Sequence, residues 1–462
     1  MSKHSTEQKA TIFVVFITSF ITTFTGSALN LSIPSMSREF DVPASMIGWV
    51  VTSYMLTLAA LSVPFGRLAD ITRKKRVFIT GIMVFSLALL ASAFVGDFTV
   101  MILCRVLTGI GGAMIVSTNT AILISAFPGG ERGGVLGFSV ASTYMGLSSG
   151  PVAGGLLNHY FGWRSIFIAA FAVSGTVFAT ALKTLPAGDK NKEKQSFDIL
   201  GNILYILMII MIMYGFTEVV NSKIAIALIA AGIIVAVCFV RYELKASNPI
   251  IQVRLFSGNI SYAFSNLATL LNYGATSALS YLLSIYLQVI MKYTSQRAGL
   301  IMITQPIFMA GLSPFAGRLS DRVSPFLLSS LGMGFCAAGV TFFIFIGTDY
   351  PLWLIMLALV ITGIGFALFS SPNTNAVMSC VEAKDYSVAS SILATMRSMG
   401  NVTSMSLVTL VVSMYLGRSS LANAAPEILL KTIHTSFAIF LAICVIGIFI
   451  SAKRKKPGGK SV

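Results

Sequence analysis

Apolar runs long enough for a helix to cross a hydrocarbon core, about 20 residues each, follow one another along nearly the whole of this chain. On that ruler about fourteen candidate spans can be marked, near 11–33, 47–66, 77–95, 100–126, 134–156, 163–182, 199–218, 222–241, 261–290, 299–317, 326–346, 351–376, 388–416 and 432–452. Each run must satisfy its backbone internally inside lipid, so the series specifies an all-α membrane protein. Composition agrees: only 10% of residues are charged and 55% are hydrophobic, where soluble domains carry roughly 25% charged residues. The first run, from Thr11 to Ile33, is too long for a signal-peptide core and reads as a retained span.

A net charge of +16 would fit a nucleic-acid binder, but the basic residues lie in short clusters beside apolar runs. That is where the positive-inside bias places them, so no nucleic-acid partner is expected. The basic loops are Arg67 to Arg76, Lys183 to Lys194, Arg241 to Arg254, Arg318 to Arg322 and the tail from Lys453 to Lys456. The alternate loops are poorer in charge, as at Gly96-Asp97-Phe98, with Lys292 and Arg297 the main exception. Both termini are therefore expected in the cytoplasm. Cys104, Cys238, Cys336, Cys380 and Cys444 sit in or beside apolar runs without C-x-x-C spacing, which reads as small buried side chains without a metal site.

An internal repeat organises the chain. Gly66-Arg67-Leu68-Ala69-Asp70 follows the second run, and Gly317-Arg318-Leu319-Ser320-Asp321 follows the tenth. The two loops lie eight helices apart, so a six-helix repeat requires two extra helices between its copies. The expected domains are a six-helix bundle over 1–185, two inserted helices with their linkers over 186–255, and a second six-helix bundle over 256–462. Parallel halves of this kind place a substrate site near the bilayer midplane between them.

Three motifs carry a resemblance. The first loop, with Gly66, Leu68, Ala69, Asp70 and the basic run Lys74 to Arg76, resembles the G-x-L-A-D-R-x-G-R-R motif of the major facilitator superfamily, departing at Ile71 and Arg73. In the fourth run, Arg105 followed by Gly109, Gly111 and Gly112 resembles that family's second motif. A cation at that depth is costly and points to function. In the fifth run, Gly146, Gly150, Pro151, Gly154 and Gly155 resemble the antiporter motif G-x-x-x-G-P-x-x-G-G. Gly146, Gly150 and Gly154 share a small-residue face that lets helix backbones touch, which could seal one side of a cavity. Gly162 to Phe167, Phe197 to Gly201, Tyr286 to Gln288, Ala298 to Leu300, Gly363 to Gly365 and Ser371 to Asn373 resemble the fourteen-helix drug:proton antiporter branch.

That resemblance implies a secondary exporter of amphipathic drug-like molecules, driven by protons, working as a monomer in the plasma (bacterial inner) membrane and needing no cofactor. Gly66, Asp70, Arg105, Gly146, Gly150, Pro151, Gly154, Gly155 and Asp321 would serve gating and conformational coupling. The cavity would be lined by Thr25, Asn30, Asn119, Tyr144, Gln288 and Asn373. One departure matters: Thr25 stands where the branch has an aspartate, and none of the 16 acidic residues falls in the middle of a run. Arg105 is thus expected to lack a fixed acidic partner and to disfavour cationic cargo.

Other readings are a narrow exporter of one endogenous, anionic metabolite, and a non-transporting membrane sensor or scaffold. The latter fits poorly with a chain lacking any sizeable extramembrane segment. An enzyme is not expected. No H-E-x-x-H occurs, His4, His159 and His434 are scattered, and no G-x-x-x-x-G-K-[ST] loop provides for nucleotide hydrolysis.

Overall fold

The apolar runs become long helices, and the turns fall where charge or proline interrupts them. The structure is a computed structural model that describes residues 6–127, 132–185, 197–218, 222–246, 249–251, 256, 258–381, 386–416 and 425–454. The helices are α1 (Thr6–Leu29), α2 (Ile33–Phe40), α3 (Ala44–Ile47), α4 (Trp49–Ile71), α5 (Lys74–Ala93), α6 (Phe98–Ser125), α7 (Arg132–Phe161), α8 (Arg164–Thr184), α9 (Ile199–Glu218) and α10 (Lys223–Glu243). They continue as α11 (Ile260–Thr276), α12 (Leu279–Ile285), α13 (Ser295–Met302), α14 (Thr304–Arg322), α15 (Pro325–Ile344), α16 (Leu352–Ser379), α17 (Tyr386–Leu416) and α18 (Pro426–Ala452). Helix makes up 88% of the described residues, and no strand occurs among them.

Among the described residues, 12 helices are long and apolar enough to cross a membrane. The expected spans near 134–156 and 261–290 are helical but stand outside that set. The first lies in α7, where the side chains of 132–138 are outside the description. The second is interrupted at Ser277 and Ala278, between α11 and α12, and ends in a π-turn at Tyr286–Ile290.

Helix packing repeats along the chain. In a first set, α1 packs on α7 and α8, α4 on α6, and α5 on α6 and α8. In a second, α11 packs on α17 and α18, α14 on α16, and α15 on α16 and α18. These sets are the first and second halves. The related loops close their helices alike: Thr72 N donates to Leu68 O at 2.9 Å and Val323 N to Leu319 O at 2.8 Å. Pro64 and Pro314, inside α4 and α14, precede the two loop glycines.

Helices α9 and α10 pack on each other, and α9 also touches α4 of the first half and α17 of the second. Tyr205, Ile209 and Met213 of α9 bury themselves with Ala59, Ala60 and Val402, and the Tyr205 hydroxyl donates to Ala59 O. Helix α10 is apolar on its outer side too: Ile224 is 70% and Ile234 64% exposed. An all-round apolar helix left open in this way belongs in lipid. Elsewhere Leu103, Phe315 and Phe449 continue the outward apolar belt.

The start of α1, the end of α18 and the basic turn between α4 and α5 lie at one end of the bundle, called here the terminal end. At the opposite, far end, Gly162 turns the chain with φ +76°, a conformation that strains residues bearing a Cβ. It delivers Trp163 and Arg164 to Glu39 of α2: Trp163 Nε1 donates to Oε2 at 2.6 Å, and Arg164 pairs with Oε1.

Candidate functional site

The glycine face of α7 packs inside the first half. A Cβ on Gly150 would lie 2.6 Å from Ser27 Cβ, and one on Gly154 would lie 2.7 Å from both Ala28 Cβ and Ala28 O. Gly146 abuts Phe20 O and Thr23 Oγ1 of the same helix, α1. This face therefore joins α7 to α1, within the first half. The contact across the halves belongs to the neighbouring residues. A Cβ on Gly155 would lie 2.5 Å from Ser295 O, and Gly299 abuts Pro151 O.

This far-end seam also has polar bonds. Ser284 Oγ donates to Asn30 O at 2.6 Å, and Gln288 Nε2 donates to Leu31 O at 3.1 Å and Ser284 Oγ at 2.9 Å. Ser295 Oγ donates to Gln288 Oε1 at 2.9 Å and accepts from Asn158 Nδ2 at 2.9 Å. Behind it lies a void of about 10 Å³, lined by Asn30, Met55, Ser277, Tyr281 and Asn401, about the room one water needs. Asn30 Oδ1 is buried without a partner, and Ser277 Oγ donates to Asn401 Oδ1.

Nearer the middle, a second polar contact joins the halves: Tyr144 OH of α7 meets Ser370 Oγ of α16 at 2.5 Å. Beside it stands Arg397 of α17, whose Nη2 donates to Thr374 Oγ1 at 2.9 Å. Its guanidinium lies 5.8 Å from the centre of the Tyr273 ring, and Tyr273 meets Phe366 edge-on with ring centres 5.5 Å apart. Eleven residues into α17, Arg397 is about 17 Å from the helix start at 1.5 Å per residue. An ionisable residue at that depth is the signal that marks it in the sequence.

The remaining expected site residues are distributed unevenly. Thr25 is fully buried and its hydroxyl donates to Ile21 O of its own helix at 2.5 Å. Asn119 donates to Ser19 Oγ at 2.7 Å and accepts from Thr18 Oγ1 at 3.2 Å, tying α6 to α1 within the first half. Asn373 donates to Thr269 Oγ1 at 2.7 Å and to Ser265 O at 3.1 Å, and its Oδ1 accepts from Arg454 Nη1 at 2.6 Å. With both ends of the amide engaged inside the second half and 1% exposed, Asn373 faces no open space. Of the expected lining residues, Asn30, Tyr144 and Gln288 stand between the halves.

Arg105 is fully buried. Its Nε donates to Val50 O at 2.9 Å and its guanidinium stacks 4.6 Å from the Tyr54 ring centre. Nη1 and Nη2 have no hydrogen-bond partner, and no described carboxylate pairs with Arg105. In the loops, a Cβ on Gly66 would sit at an ordinary 3.6 Å from Ser117 Cβ, whereas one on Gly317 would come within 2.8 Å of Ser371 Oγ. The side chains of Asp70 and Asp321 lie outside the described residues.

Two helical halves meeting around a polar and aromatic interface, with an extra pair laid over one seam, define a polytopic transporter fold. The sequence profile of the Major Facilitator Superfamily matches residues 15–242 and 266–461, and the chain belongs to that family. It is a transporter and not an enzyme. Among curated proteins it is 28% identical to the riboflavin transporter RibZ of Clostridioides difficile, over 98% of each chain. It is 26% identical to the multidrug resistance protein Stp of Mycobacterium tuberculosis, over 90% of this chain and 77% of that one. Among solved structures, an inward-facing bacterial homologue of the human lysosomal transporter Spinster superposes with TM-score 0.72 at 12% identity, covering 99% of this chain and 100% of that one.

Proposed function

We propose that this protein exports amphipathic small molecules across the plasma membrane by alternating access, as a monomer driven by the proton gradient. The observation that carries the reading is the interface between the halves, closed at the far end by glycine-backbone contacts and buried hydroxyl bonds. Such a seam can part and re-form, because its polar bonds run through serine, asparagine and glutamine side chains and no ion pair among the described residues crosses it. Below it the Tyr144, Arg397 and Tyr273 group offers polar and aromatic contacts at mid-depth. The antiporter-like motif of α7 supports the outward direction, and the likeness to Stp supports drug-like cargo.

In this reading α7 and the stretch 260–290 both cross the bilayer, making fourteen spans in a six, two, six order with both termini cytoplasmic. The terminal end then carries the basic loops, as the positive-inside bias requires. Gly155, Pro151 and the far-end residues form one gate, while Gly66, Asp70, Gly317 and Asp321 belong to the opposite one. Arg105 couples the two, its unpaired guanidinium gaining water when the far end opens.

A second reading is favoured by a specific observation. RibZ matches over nearly the full length of both chains, and the described ionisable groups at depth are cations. That combination supports a narrow exporter of one planar, endogenous metabolite. Purified protein in proteoliposomes under an imposed pH gradient tests both. Gradient-dependent flux of several unrelated dyes supports broad export, flux of a single planar metabolite supports the narrow reading, and no gradient-dependent flux of either overturns proton-driven export.

A further inference from the structure

Among the described arginines, Arg454, Arg105 and Arg397 are drawn into the helix packing and differ in what they touch. Arg454 is saturated: Nε donates to Ser451 O, Nη1 to Asn373 Oδ1 and Ser265 Oγ, and Nη2 to Phe326 O and Ser451 Oγ. A cation so enclosed by acceptors fastens helices together. Arg105 has two free nitrogens but is sealed, with 0% of its surface exposed. Nothing reaches it while the far end is closed. Arg397 combines the two properties a ligand contact needs. It is partly accessible, and among the described residues its one hydrogen bond goes to Thr374, so that Nη1 bonds to no described residue and Nε is buried without a partner.

Keeping a guanidinium at that depth is expensive unless something pairs with it. No described carboxylate does so, and across the interface the Tyr144 phenol of the opposite half feels its charge. Guanidinium donors in a fixed plane match the two oxygens of a carboxylate or the oxygens of a phosphate. The surfaces around it are ring faces and edges, Tyr273 and Phe366 from the second half and Tyr144 from the first.

We propose that Arg397 is the anion contact of the transport site, and that the site takes a planar aromatic solute bearing one anionic group, seated with the anion on the free Arg397 donors and the ring against Tyr273 and Tyr144. The inference rests on the export reading for its setting, but binding at this site is separable from movement. Because the solute touches Tyr144 of one half and Arg397 of the other, it bridges the interface that must rearrange. Quaternary ammonium compounds meet an unscreened cation there and are excluded by repulsion.

The test uses three coumarin probes of one ring system: a carboxylate, its neutral primary amide, and an amide bearing a trimethylammonium group. Binding is read by fluorescence anisotropy on the full chain in lipid nanodiscs, and flux in proteoliposomes under a pH gradient. Wild type binds the carboxylate at least about tenfold more tightly than the amide, a preference of the size expected for one charge-assisted contact. Arg397→Gln brings that ratio close to one, and Arg397→Lys restores part of it. Arg454→Gln keeps the ratio and lowers the unfolding temperature, which separates the site from a general loss of structure. A wild type that binds all three probes alike, binds the cation best or binds none overturns the inference, as does an Arg397→Gln protein that keeps the preference. Arg397-dependent binding without gradient-driven flux leaves the site standing and defeats the export reading. Flux that ignores Arg397 does the reverse.

Discussion

Replacing Gly155 by alanine adds one methyl group to a place with no room for it. The new Cβ would stand 2.5 Å from Ser295 O and 3.2 Å from Ser295 C, where ordinary contact begins at 3.4 Å. Helix α13 must therefore retreat from α7 by about 0.9 Å, since both partners at the clash are backbone and neither can swing aside. Overpacking of that order costs about 1–3 kcal/mol, and the cost falls only on the state in which the far end is shut. A differential of that size shifts a two-state equilibrium roughly 5- to 150-fold toward the far-open state. Alanine also adds about 1 kcal/mol of helix propensity over glycine, but it does so in both states and leaves their ratio unchanged. The assay is pulsed electron–electron distance measurement between spin labels at Phe161 and Arg297, exposed far-end positions on the two sides of the seam. Gly155→Ala should move the distribution to longer distances. Gly175→Ala and Gly334→Ala, where a Cβ would meet nothing within 4 Å, should not. An unchanged distribution in Gly155→Ala, or the same change in the two controls, refutes the reasoning.

Gly154→Leu acts on a different seam: a side chain there drives into Ala28, so the protein should lose several degrees of thermal stability in detergent, and a wild-type unfolding midpoint would count against the packing argument. Asn373→Ala strips Arg454 and Thr269 of their shared partner, at about 1–3 kcal/mol for buried groups left unpaired; the unfolding temperature should fall while the carboxylate probe binds as before, and a large affinity loss would return Asn373 to the binding site. Arg105→Gln removes a sealed cation with two unpaired nitrogens, so it should raise the unfolding temperature and slow gradient-driven flux; lower stability would show that the guanidinium is better satisfied than its contacts indicate. Asp70→Asn keeps shape and loses charge at the terminal end of α4, and initial-rate flux should show slower turnover at nearly unchanged KM.

Much of the architecture was legible from one kind of signal, the alternation of apolar runs with basic and neutral loops, because lipid leaves the backbone so few options. The echo of Gly66 to Asp70 at Gly317 to Asp321 anticipated the recurring helix pairings, since a copied loop implies copied neighbours. The site was less legible. Thr25, Asn119 and Asn373 are polar residues in apolar runs, and the sequence holds no mark that separates a side chain spent on Ile21 O or Arg454 from one aimed into a cavity. Arg397 carried the stronger mark, a charge far inside a span, yet only the geometry distinguishes it from the sealed Arg105.

The glycines of α7 show why spacing alone could not name their partners. A period of four residues reveals a face on which backbones can touch, and three of the glycines do lie on one face, against α1. Gly155 follows Gly154 directly and so points about 100° away around the helix at 3.6 residues per turn, which turns it to Ser295 of α13. One helix thus carries two seams made of the same residue. The seam with α1 joins neighbours within a half and has no reason to open, while the seam with α13 joins the halves and must open whenever the far end does. Glycine suits both for one reason: with no side chain to interlock, contact is lost over a small displacement. In the first seam that displacement is opposed by the whole length of α1, with hydroxyl bonds from Thr23 to Thr143 O and from Ser27 to Leu147 O. In the second it is opposed over only about two turns, from Pro151 to Asn158, against the short helix α13. The same chemistry is a weld where it is long and a latch where it is short.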